Sequence, residues 1–168
     1  MRHTQSGFTL IELLLYLAVT SIIIVSVSGF LITMLQARVK FQTISEVEQQ
    51  GQQTMQAITQ TIRNAQAITS PATGASASSL TMDVVTAGLD PTVFDLSGGI
   101  IRITEGAGAA TGLTTTKVTA SSLNFQNLTR PTTQGVIRIS FTITSVNGSG
   151  RNEFQYAKTF RGSASLRQ

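Results

Sequence analysis

The chain contains no cysteine and a single histidine, His3, which stands ahead of every segment that reads as folded. Without thiols no disulfide can staple the protein, so its stability has to come from packing, although export to an oxidising compartment would permit such bonds. A Ser-His-Asp triad needs an imidazole beside its nucleophile, and a zinc site needs Cys or His donors. Neither chemistry has its parts here. No catalytic residue, metal ligand or cofactor is expected, and an enzyme is the reading that the residues support least. Charge is also scarce, with Asp, Glu, Lys and Arg making up 12% of the chain. Residues 13–35 carry neither a charge nor a proline.

That uncharged run is interrupted only by Thr20, Ser21, Ser26, Ser28, Thr33 and Gly29. As a helix rising ~1.5 Å per residue it spans a ~30 Å hydrocarbon layer. A secretory signal peptide is the rival, but its apolar region is about 7–15 residues long and ends at a small-residue cleavage site. This run is longer and continues without one. At its head stands Glu12, and a carboxylate at the centre of a membrane helix costs roughly 3 kcal/mol, so a partner for it is expected.

Charge is unevenly distributed. Residues 41–116 hold Arg63 and Arg102 against Glu46, Glu48, Asp83, Asp90, Asp95 and Glu105. Residues 117–168 hold Lys117, Arg130, Arg138, Arg151, Lys158, Arg161 and Arg167 against Glu153 alone. The distal end is therefore basic, which suits a polyanion.

At 168 residues the chain has room for one modest domain and one long element. Residues 8–68 read as a helix in two halves, the first apolar all round. In the second half Phe41, Ile44, Val47, Gly51, Met55, Ile58, Ile62 and Ala65 form one stripe, with Gln42, Gln49, Gln50, Gln53 and Gln60 opposite. A helix of about 60 residues would be ~90 Å long, so only part of it can be buried by this chain's own domain. Ser70-Pro71 stops it, and 72–79 is a small-residue linker. Beyond lie strand candidates at 80–86, 93–96 and 100–105, then weaker ones at 113–118 and 123–128, with a flexible loop at 106–112. The clearest strand is 136–146, where Ile137, Ile139, Phe141 and Ile143 alternate with Arg138, Ser140, Thr142 and Thr144. Asn147-Gly148-Ser149-Gly150 turns the chain into a return strand at 152–161 that carries Phe154, Tyr156 and Phe160 on one face. The expected class is α+β, a long N-terminal helix packed on a C-terminal antiparallel sheet. Its segments are a leader at 1–7, a membrane helix at 8–36, an amphipathic half at 37–70 and a β-rich domain at 71–168.

The residues Gly7-Phe8-Thr9-Leu10-Ile11-Glu12 and the apolar helix behind them resemble the type IV pilin and type II secretion pseudopilin superfamily. The resemblance implies cleavage by a prepilin peptidase between Gly7 and Phe8, on the cytoplasmic side, and methylation of the new amino terminus on Phe8. It implies that Glu12 pairs with the amino terminus of a neighbouring subunit as helices bundle into a filament. Elementary electrostatics agrees, since a carboxylate in hydrocarbon is stabilised by an ammonium group facing it. Partners then include other pilin subunits, the inner-membrane assembly platform and membrane lipid. The expected location is the cytoplasmic membrane, single-pass with a cytoplasmic N-terminus, and afterwards a periplasmic or extracellular filament. Basic residues run the other way, with Arg2 before the span and Arg38 and Lys40 after it. Major pilins often carry a mid-helix proline about where Gly29 stands, and many have paired cysteines; major pseudopilins have a calcium site. This chain shows none of these patterns, which leans towards a minor subunit resembling PilW-type minor pilins or J-type minor pseudopilins.

Other features weigh less. The glycines at 106–112 lack the lysine and following helix of a phosphate loop. Asp83, Asp90, Asp95 and Glu105 are scattered for a calcium site. Asn127-Leu128-Thr129 and Asn147-Gly148-Ser149 match a glycosylation sequon that also suits turns. Arg138, Arg151, Lys158 and Arg161 are candidate nucleic-acid contacts, giving an alternative reading as a DNA-binding minor pilin of a competence filament. A solubilising charged sheet face is favoured over it. A membrane-anchored surface protein that never polymerises is a further alternative.

Overall fold

The computed structural model describes residues 9–167. Helix α1 runs over Leu10–Asn64, 55 residues without interruption. It passes through Gly29, where a Cβ would meet nothing within 4 Å. A glycine permits a bend at this position but does not impose one. Between residues 10 and 35 every large apolar side chain is exposed, and the most apolar 18-residue window has mean hydropathy 2.5.

From Lys40 onwards the chain forms an α+β unit. The end of α1 lies against nine strands: β1 Ala65–Ser70, β2 Ser76–Ala77, β3 Leu80–Val84, β4 Thr92–Ser97, β5 Ile100–Glu105, β6 Thr111–Gly112, β7 Val118–Asn127, β8 Val136–Ser145 and β9 Ala157–Ser165. They form two antiparallel sheets, β1-β3-β4-β5-β6 and β2-β7-β8-β9, where a single sheet was expected. The alternation at 136–146 holds. Ile137, Ile139, Phe141 and Ile143 are buried, while Arg138 on the other face is exposed.

Both sheets and the helical stripe share one core, in which Val47, Ile58, Ile62, Phe94, Phe125 and Phe141 are fully buried. Burial of each such side chain is worth about 1.5–3 kcal/mol, which is where a chain without disulfides finds its stability. The buried helical positions are Thr43, Val47, Gly51, Thr54, Ile58 and Ile62. Phe41, expected on the stripe, is 70% exposed, and the small threonines 43 and 54 are buried instead. Gly51 and Gly162 bring helix and sheet close together. A Cβ on Gly51 would lie 2.0 Å from Phe160 Cζ, and one on Gly162 would lie 2.8 Å from Met55 Sδ.

Several boundaries differ from the sequence reading, among them short strands at Ser76–Ala77 in the expected linker and at Thr111–Gly112 in the expected flexible loop. The helix ends at Asn64, and residues 65–70, expected to be its last turn, pair with β3 as a strand. Ala65 continues the helical stripe in sequence yet is buried as a strand residue, so the local pattern does not choose between the two; the partner strand does. Residues 113–118 are mainly turn, and the strand expected at 123–128 starts at Val118. A register shift between Ser121 and Asn124, with Ser122 at φ 54°, moves burial from Val118 and Ala120 to Leu123, Phe125 and Asn127 and so masks the period of 2. Residues 152–154 form a short 3-10 turn ahead of β9.

Candidate assembly site at the head of the apolar helix

Thr9 is the N-cap of α1. Its Oγ1 accepts the Glu12 backbone N–H at 3.3 Å, and its carbonyl accepts that of Leu13 at 3.2 Å. This is one half of a Thr-x-x-Glu capping box, and it satisfies an N–H that a helix start otherwise leaves orphaned. Glu12 therefore lies in the first turn, where the helix dipole favours negative charge. Its side chain does not close the box. Instead the Tyr16 hydroxyl, one turn further along, donates to Glu12 Oε1 at 3.4 Å. Both side chains are exposed on an apolar helix, which leaves the carboxylate accessible to a second chain. Neither the cap nor Tyr16 was singled out from sequence, although the S/T-x-x-E signature and the i, i+4 spacing are both written there. The 1–7 leader with Gly7, and Phe8 after it, lie outside the described residues.

The basic candidates are divided between ion pairs and the outer face of one sheet. Lys158 Nζ donates to Glu48 Oε1 of α1 at 2.8 Å, and Tyr156 donates to the same oxygen at 3.3 Å. The hydrogen bond from Lys158, followed by its charge, lowers the Glu48 pKa, and the hydrogen bond to Glu48 raises that of Lys158. Lys158 also lies 5.6 Å from the Phe160 ring centroid. Arg151 is ion-paired with Glu153. Arg138 and Arg161 are exposed on the outer face of the β7-β8-β9 sheet, offset by two residues along the strands, with Arg138 Nη1 3.4 Å from Gln126 Oε1. Of the quartet, two members are engaged in ion pairs and two face outward from the sheet.

Three of the four scattered carboxylates serve local structure. Asp95 accepts a two-pronged hydrogen bond from Arg102 across β4 and β5, at 2.9 and 2.6 Å, and this bond raises the Arg102 pKa. Asp83 accepts from Thr69 at 2.7 Å, and Asp90 accepts from the Val84 N–H at 3.1 Å. Among the described residues no group of three or more His, Cys, Asp or Glu is placed to hold a metal ion. Asn127 is buried, with its amide donating to the Pro71 carbonyl and its oxygen accepting from Thr129 N–H. Asn147 Oδ1 accepts the N–H groups of Ser149 and Gly150, which closes the turn before β9. Both asparagines do structural work.

Comparison with known families points to the same end of the molecule. Residues 2–28 match the family model described as the prokaryotic N-terminal methylation motif. No curated protein and no solved structure matches the chain.

Proposed function

From the premise that this motif supports the type IV pilin and pseudopilin family, we propose that the chain is a structural, minor subunit of a pilus or secretion pseudopilus. Prepilin peptidase cuts between Gly7 and Phe8 and methylates the Phe8 amino group. The mature chain is held in the cytoplasmic membrane through residues 13–35, with its N-terminus cytoplasmic. An inner-membrane assembly platform then moves it from lipid into a filament, where the Glu12 carboxylate meets the amino terminus of a neighbouring subunit. The observation that carries this reading is the methylation motif placed at the head of a helix whose apolar side chains the chain itself leaves exposed. Such a surface has to be covered by lipid or by other helices.

The decisive substitution is Glu12→Ala. Removing one member of a buried charge pair costs about 3–5 kcal/mol, so incorporation into sheared filaments should fall by more than about a hundredfold. Leader removal, read as the mass of the membrane form, should be unaffected. Incorporation of Glu12→Ala at the wild-type level would defeat the pairing role.

A further inference from the structure

We propose that Tyr16 is a positioning residue for Glu12. Its hydroxyl holds one carboxylate oxygen, so that the other is presented to the neighbouring subunit. This inference rests on the filament reading above.

Hydroxyl groups in a hydrocarbon layer need a partner, since water is not there to supply one. Three of those in the span turn back onto the helix itself. Ser21, Ser26 and Thr33 donate at 2.8 Å to the carbonyls of Ala18, Ile22 and Phe30. A phenol cannot do the same, because its ring carries the oxygen too far from its own backbone. The Tyr16 hydroxyl is instead 3.4 Å from Glu12 Oε1, on the same helical face one turn away.

The contact also settles what Glu12 does with its two oxygens. In a full capping box the carboxylate would fold back onto the Thr9 N–H. Here Thr9 Oγ1 takes the Glu12 N–H, while the carboxylate reaches forward to Tyr16. One oxygen is thereby occupied and the side chain is restrained. Among the described residues the second oxygen accepts from no donor, which keeps its lone pairs for an incoming ammonium group. Restraining a flexible side chain before docking removes part of the ordering cost of association.

Substituting Tyr16 in the full-length protein separates a hydrogen-bonding role from ring packing. The readout is the amount of mature subunit in sheared filaments relative to the membrane fraction. Tyr16→Phe keeps the ring and loses the donor, so incorporation should drop about tenfold with processing intact. Tyr16→Gln loses the ring but keeps an i, i+4 donor, so incorporation should stay within about twofold of wild type. Wild-type incorporation of Tyr16→Phe, or a Tyr16→Gln loss as large as that of Tyr16→Phe, would overturn the proposal. Glu12→Ala run in parallel keeps the two readings apart. Its normal assembly would sink the filament role itself, whereas its exclusion together with normal assembly of Tyr16→Phe would sink only the role of Tyr16.

Discussion

Thr54 is buried to 1% exposure in the C-terminal part of α1, and its hydroxyl finds no hydrogen-bond partner among the described residues. An unpaired buried hydroxyl gives up its hydration and receives nothing in return. Valine has the same branched shape without that oxygen and has a similar helix propensity. Thr54→Val should therefore stabilise the protein by about 1 kcal/mol, seen as a higher thermal midpoint in detergent. A lower midpoint would mean that the hydroxyl has a partner after all. Glu12 is the opposite case, since its polar group is placed where another molecule can reach it. The position of Glu12 was legible from the sequence, because one carboxylate beside an uncharged run stands out. The value of Thr54 was not, because its cost depends on neighbours contributed by distant strands.

The contact between helix and sheet is set by what is missing from two side chains. Gly51 accepts the edge of Phe160, which itself stacks on Phe141 with ring centroids 5.5 Å apart. Alanine at 51 would gain about 1 kcal/mol of helix propensity. However, a methyl group 2.0 Å from a ring already backed by another ring must push elements apart. Overpacking costs about 1–3 kcal/mol, so the clash prevails. Gly51→Ala should lower the midpoint of chemical denaturation, and an unchanged or higher midpoint would show that the ring can move aside. At this scale the sequence was readable where the period was unbroken, as in β8 and in the stripe from Val47 to Ile62. It misled where two periods overlap, at 65–70, and where a bulge resets the period, at 121–124.

Across the whole unit from Lys40 onwards, a few polar contacts tie the start of the fold to its end. Glu48 of α1 meets Lys158 and Tyr156. Lys40 Nζ donates to the carbonyls of Asn152, at 3.2 Å, and Gln155. Because the Glu48 pKa is lowered from its ordinary 4.5, its contribution to stability is present above that value and is lost as pH falls through the folded pKa. Because the Lys158 pKa is raised from its ordinary 10.5, its contribution is complete below that value and is lost as pH rises through the folded pKa. The pair is intact between these limits. Thermal midpoints of the wild type should exceed those of Glu48→Gln between about pH 5 and 10, with the gap closing outside that window and narrowing in high salt. A gap independent of pH would show that the loss in Glu48→Gln does not come from the charge pair.

The sequence by itself determined the features that local chemistry and periodicity can carry. These are the methylation motif, the membrane-length helix, the carboxylate at its head and the α+β class. Tertiary structure alone decided the division into two sheets, the end of the helix at Asn64 and the pairing of Lys158 with Glu48. The physical reason is one of range. A motif or a period is complete within a few turns of chain, whereas a strand's partner or a lysine's counter-ion is fixed only when segments far apart in sequence meet.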